Sequence, residues 1–164
     1  MDKRRARIET LRPERGRRIL VLSDIHANIP YFQGVLDLVG FSDADELVID
    51  GDFLEKGRES LSLLRLLMEM ERRDNVHLVC GNCDDWADMY APDFADEGNE
   101  HVLHYLQHRR SGLIWDMCLE QGVDPMALED IRPVKDLLWR QYPEIWAFLG
   151  RLPHAIDAGT VVFA

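Results

Sequence analysis

The sequence predicts an α/β fold built on a parallel sheet and interrupted by a helical insertion. Three observations carry that expectation. Between residues 18 and 80, three short apolar runs alternate with two stretches of helical periodicity. Each run ends in a turn bearing a carboxylate or an amide. From about residue 86 to 150 the rhythm gives way to helical pieces punctuated by Pro125, Pro133 and Pro143. Strands connected through helices pair in parallel.

Arg18-Ile-Leu-Val-Leu-Ser23 lacks polar alternation, as expected of a strand covered on both faces. Pro30 then sits where a first helical residue belongs, with Asn28 or Ile29 at the cap. Tyr31, Val35, Leu36 and Leu38 fit the apolar side of that short helix. Glu46–Asp50 reads as a second buried strand ending in Gly51-Asp52. A longer helix from about Arg58 to Arg73 carries Leu61, Leu63, Leu64, Leu66, Leu67, Met68 and Met70. Asn75–Cys80 reads as a third strand ending in Gly81-Asn82. The insertion predicts helices near 99–110, 113–121, 125–131, 134–141 and 144–149. Ala155–Asp157 and Thr160–Ala164 return to β character around a turn at Ala158-Gly159.

Composition narrows the function classes. At 164 residues, with 46% hydrophobic and 30% charged residues, the chain is long enough for one domain with a sizeable core. No apolar run approaches a membrane span, and no apolar stretch follows the basic start as in a secretory signal. Cys80, Cys83 and Cys118 are too few for a disulfide framework, so a reducing cytoplasm is the expected compartment. Residues 1–18 hold eight basic and three acidic residues. That 18-residue stretch is +5, leaving −16 on the rest of a chain whose formal net charge is −11. The leader, residues 1–17, is expected as a solvated helix against the acidic body, with nucleic acid or an acidic partner as the alternative. The acidic remainder argues against a broad nucleic-acid surface. It suits a site that gathers carboxylates around metal ions.

The chemistry follows the strands. Asp24-Ile-His26 follows the first, Gly51-Asp52 the second, and Gly81-Asn-Cys-Asp84 the third. Loops at the carboxyl ends of parallel strands converge on one edge, where ligands bind. Asp24, His26, Asp52 and Asn82 would meet there, offering carboxylate, imidazole and amide oxygen to Mn, Fe, Zn or a similar divalent ion.

Ser23-Asp-Ile-His-Ala-Asn28, Gly51-Asp-Phe-Leu-Glu-Lys-Gly57 and Gly81-Asn-Cys-Asp84 resemble the D-x-H, G-D-x-x-[DE]-[RK]-G and G-N-x-[DE] motifs of calcineurin-like metallophosphoesterases. The second motif is most similar to the phosphoprotein-phosphatase branch, which includes symmetrical diadenosine tetraphosphate hydrolases. The resemblance covers roughly residues 18–90 well and 143–164 moderately. It implies the amino-terminal part of a metallophosphoesterase β-sandwich flanked by helices, over residues 18–164, with the insertion at about 86–150. It also implies two metal ions. Asp24 and His26 would hold the first, Asp52 would bridge both, and Asn82 would hold the second and contact substrate. Such a pair activates a water and clamps phosphate oxygens. Lys56 falls where the branch often has a phosphate-binding arginine, and lysine keeps the charge without the bidentate fork. Cys83 replaces the histidine that the resemblance implies as the branch's general acid, with Asp84 beside it as a further catalytic candidate. The implied activity is hydrolysis of phosphomonoesters, phosphoserine/threonine or a small phosphorylated substrate. The alternatives are a dinucleoside polyphosphate or a phosphodiester, and a non-catalytic binding module. The last is motivated by further histidines that the family carries downstream, beyond the position of Ala164.

Other features have plainer readings. Cys80-Gly-Asn-Cys83 has no second pair for a zinc cage, and Cys80 reads as the end of a buried strand. His101, His104 and His108 share one helical face, as a polar stripe or a metal site. His77 reads as structural and His154 as a loop residue. Trp86, Trp115, Trp139 and Trp146 read as core anchors of the insertion.

Overall fold

The computed structural model describes residues 6–89 and 96–164. Two three-stranded sheets organise the chain. Strands β2 (Arg18–Leu22), β3 (Asp45–Asp50) and β4 (Val76–Val79) lie side by side in sequence order, all parallel. Strand β1 (Ile8–Thr10) pairs in parallel with β5 (Ala155–Asp157), which pairs antiparallel with β6 (Val162–Phe163). Leu11, Val48, Val79, Ile156 and Phe163 form the apolar layer between the sheets. A larger core fills the other face of the parallel sheet. Leu47, Ile49, Val76 and Leu78 pack there with α1 (Ile29–Val39), α2 (Ser60–Met70) and the helices of the insertion.

These elements follow from local sequence. Asn28 caps α1 by accepting from the Tyr31 backbone N–H at 3.1 Å, Pro30 sits in the first turn, and Gly40 closes the helix in the left-handed conformation. The side chain that anchors α1 is Phe32, which is fully buried. Tyr31 and Leu38, expected on the inner face, are 67% and 86% exposed. The helix is rotated relative to the expectation because the largest ring takes the centre of the contact. Helix α2 buries Leu61, Leu63, Leu64, Leu67 and Met70, close to the expected face. Each fully buried leucine contributes roughly 1.5–3 kcal/mol.

Two further expectations are corrected. Strand β3 is buried on both faces, but β2 is not, since Ile19 and Val21 are 36% and 47% exposed. As an edge strand, β2 meets the helices only through its other side chains, Leu20 and Leu22. Where it is described, the leader carries a short strand, β1, and no helix. β1 joins the second sheet because its backbone has a parallel partner in β5. The leader's Lys3, Arg4 and Arg5 lie outside the described residues.

The insertion is helical, with α3 (Trp86–Met89), α4 (Asp96–Arg109), α5 (Leu113–Glu120), α6 (Arg132–Gln141) and α7 (Pro143–Arg151). Between α5 and α6 only a single 3₁₀ turn forms, at Pro125–Ala127, where 125–131 was expected to be helical. Asp124 caps that turn, and the chain is already extended at Leu128. Trp86 and Trp146 are buried anchors, and Trp139 stacks on Trp146 at 5.5 Å. His77 is structural, bonded to Glu46 at 2.9 Å. His154 accepts from the Arg7 backbone N–H at 3.0 Å and so belongs to the junction of β1 and β5. Among the described residues no helix is long and apolar enough to cross a membrane.

Candidate metal centre

The loops leaving β2, β3 and β4 stay in register beyond the strands. The Asp24 N–H donates to Gly51 O at 3.2 Å, His26 N–H to Asp52 O at 3.1 Å, and Ala27 N–H to Phe53 O at 2.8 Å. The third loop is pressed against the second. A Cβ on Gly81 would collide with the backbone nitrogen and carboxylate of Asp52, so only glycine allows this approach. Among the described residues seven non-glycine positions have positive φ. Six of them, Asp24, His26, Ala27, Asp52, Glu55 and Lys56, lie in these loops. Left-handed backbone costs roughly 1–2 kcal/mol per residue. Its concentration here marks loops shaped by side-chain placement rather than by local preference.

The placement brings donors together. One ligand atom each from His26, Asp52 and Cys83 lies within 4.8 Å of the others. Asp24 Oδ1 is 3.4 Å from His26 Nε2, and its side chain stays largely exposed at the rim. Asn82 is also on the exposed rim, with its amide donating to Cys83 Sγ at 3.6 Å. His26 Nδ1 donates to the Leu54 carbonyl at 3.2 Å, which fixes the tautomer and leaves the Nε2 lone pair facing the group. The Lys56 ammonium donates to that Nε2 at 2.8 Å. A cation thus already stands against the lone pair. Imidazole nitrogen, carboxylate oxygen and sulfur around a cation-attracting point are a donor set that fits a divalent transition metal.

Asp84, expected among the catalytic residues, sits beneath the site. It is fully buried, and its two oxygens accept from the Leu54 and Gly81 backbone N–H groups, each at 2.9 Å. Burial raises its pKa to about 6. Asp84 therefore clamps the second loop to the third. Burial, together with a bond to Asp52, pushes the Cys83 thiol up to about 11.

Glu55 received no role from sequence, yet it is the residue that joins the ligand loop to the insertion. Its Oε1 accepts from Trp86 Nε1 at 2.9 Å and from the Leu113 backbone N–H at 2.8 Å, and its Oε2 accepts from the Tyr105 hydroxyl at 3.1 Å. Gly112, at φ +110, leaves room for the carboxylate that any Cβ would strike. Burial raises the Glu55 pKa to about 7. The only sequence signal was an acid at a fixed place in the motif Gly51-Asp-Phe-Leu-Glu-Lys-Gly57. Beside it a cleft of about 140 Å³ runs from Asn82 and Cys83 to Trp86, His101 and Tyr105.

A family model described as calcineurin-like phosphoesterase matches residues 17–155. The chain belongs to the calcineurin-like phosphoesterases. A symmetrical bis(5'-nucleosyl)-tetraphosphatase from Wigglesworthia glossinidia brevipalpis is 36% identical over 63 residues, which are 38% of this chain and 22% of that protein. A candidate serine/threonine-protein phosphatase from Caenorhabditis elegans is 32% identical over 66 residues, 39% of this chain and 18% of that one. A solved structure described as a candidate diadenosine tetraphosphatase aligns with a TM-score of 0.55 at 22% identity, covering 98% of this chain and 54% of that chain. The structural likeness shows that this calcineurin-like phosphoesterase shares that protein's fold. The matched stretches span about a fifth of the curated relatives' length. The mixed α/β architecture, with helices against a two-sheet core, agrees with the fold the resemblance implied.

Proposed function

We propose that this chain provides the metal-binding face of a hydrolase that cleaves phosphoanhydrides of the dinucleoside polyphosphate class. The observation that carries the reading is the convergence of His26, Asp52 and Cys83, with Asp24 and Lys56 against His26. When bound, divalent metal ions supply the charge that activates water and neutralises phosphate oxygens. His26, Asp52 and Asp24 are the residues that would hold an ion, with Asn82 at the rim for a second. Lys56, bonded to His26 Nε2, offers a positive charge at the mouth for a phosphate oxygen. Asp84 holds the Asp52 and Asn82 loops in register.

Leaving-group chemistry favours the anhydride over the phosphomonoester. A serine or threonine alkoxide has to be protonated as it departs, and the position after Asn82 holds Cys83, whose sulfur does not replace an imidazolium as proton donor at neutral pH. A nucleotide leaves as a phosphate whose second ionisation is already near pH 6, and so needs no donor. The relative named as a bis(5'-nucleosyl)-tetraphosphatase supports the same substrate class. The phosphomonoester reading retains the support of the relative named as a serine/threonine phosphatase. The acidic body of the chain is consistent with a small phosphorylated substrate rather than nucleic acid, and a cytoplasmic setting with three free cysteines.

Hydrolysis of diadenosine tetraphosphate, p-nitrophenyl phosphate and a phosphoserine peptide, each with added Mn, Fe or Zn, tests this. The expected order places the first two well above the peptide. Equal rates on the peptide would overturn the leaving-group argument, and no turnover of any substrate with any metal would overturn the hydrolase.

A further inference from the structure

We infer that Cys83 is a metal ligand whose thiolate joins the His26 imidazole and the Asp52 carboxylate in a mixed nitrogen, oxygen and sulfur set for a zinc-class ion. The inference deepens the metal-centre reading above and rests on it.

Three observations support it. The three donor atoms lie within 4.8 Å of one another. A tetrahedral ion with bonds of about 2.0–2.3 Å needs its donors roughly 3.3–3.8 Å apart, so the set closes by small side-chain rotations. The Cys83 backbone N–H donates to Asp52 Oδ1 at 3.0 Å, which ties carboxylate and thiol to the same point of the loop. His26 is already turned, through its bond to Leu54, so that Nε2 carries the lone pair.

The charge environment agrees. The Asp52 carboxylate stands beside the Cys83 sulfur, so negative charge already lines the point where a cation would sit. A divalent cation is attracted by that charge and favours the thiolate as its ligand. Binding forms a sulfur–metal bond, and the thiol proton leaves to solvent; no oxidant or reductant is needed. Thiolate is a soft ligand, so the site should favour Zn, Co or Cd over Mn or Mg. Cys80 and Cys118 offer no comparable arrangement. Among the described residues, the group at His26, Asp52 and Cys83 is the sole cluster of three donors with metal-binding spacing.

Titration of the metal-free full chain with Co²⁺ in reducing buffer tests the inference. The expected result is a sulfur-to-cobalt charge-transfer band in the near ultraviolet that saturates with the first equivalent and is displaced by Zn²⁺ but not by Mn²⁺. The band should vanish in Cys83→Ser, which should still bind Co²⁺ about tenfold or more weakly, and persist in Cys80→Ser. Zinc-edge X-ray absorption of the unaltered protein should show one sulfur in the coordination shell, independently of any variant. Cobalt that binds with visible bands but no charge-transfer band, or zinc with no sulfur neighbour, overturns the thiolate ligand and leaves the metal centre standing. A band retained in Cys83→Ser overturns the assignment to this cysteine. Absence of any bound metal overturns both readings.

Discussion

Asp52→Asn is expected to lower turnover of p-nitrophenyl phosphate by on the order of 10³-fold or more. Metal affinity should fall with it, while the unfolding midpoint stays put. The substitution separates charge from architecture. Asp52 Oδ1 accepts from the Cys83 N–H at 3.0 Å, and the asparagine oxygen can accept the same bond. The close packing against Gly81 is also kept, because the two side chains are nearly isosteric. What disappears is the negative charge shared by the His26 and Cys83 sides of the group. Parallel measurement of turnover, bound metal by elemental analysis and thermal unfolding checks the result. Unchanged turnover would remove Asp52 from the site, and a collapsed midpoint would show that its role is structural.

Glu55→Gln is expected to stabilise the metal-free protein at pH 7.5 and above, and to have little effect near pH 4.5. The folded-state pKa of Glu55 is raised from 4.5 to about 7 by burial. An acid with a raised folded-state pKa lends stability in its protonated form. That stability is complete below about pH 4.5 and is lost as pH rises through about 7. The shift corresponds to about 3 kcal/mol between those limits. Glutamine reproduces the protonated carboxyl: its oxygen can keep the bonds from Trp86 and Leu113, and its amide can donate to the Tyr105 hydroxyl. Denaturant unfolding of both proteins across pH 4.5–8 measures the effect as a difference, in which the other titrating groups cancel. Parallel curves would show that Glu55 does not ionise in this range. Glu55→Ala should instead destabilise at every pH, by about 3 kcal/mol or more, because two buried donors and the half-buried Tyr105 hydroxyl lose this acceptor.

What the sequence revealed and what it hid divide along physical lines. β3 and the convergence of the three loops were legible because Leu47-Val-Ile49 is uniformly apolar and each run ends in a turn at the same edge of a parallel sheet. The open face of β2 was not legible. Ile19-Leu-Val-Leu22 is as continuous as β3, so its pattern cannot say which side another sheet covers. Phe32 was passed over for Tyr31 because neighbouring aromatics in a short helix differ by only about 100° in direction. The role of Glu55 could not be read from its place in the motif. Its partners lie 31, 50 and 58 residues away, in a segment with no motif. The approach of Cys83 to His26 likewise depends on how tightly Gly81 lets two loops press together.

The pairing of β1 with β5 has a consequence for how the molecule comes into being. Arg7 meets His154 across 147 residues of chain, whereas β2 meets β3 across 27, from Arg18 to Asp45. Closing the longer loop costs about 1.5 kcal/mol more in chain entropy, and it cannot begin during synthesis until the whole insertion has been made. The parallel sheet needs only the first half of the chain. Pulse-labelling hydrogen exchange during refolding should therefore protect the amides of β3 before those of β5. The parallel sheet would then take shape first, and the second sheet would close onto a face already formed.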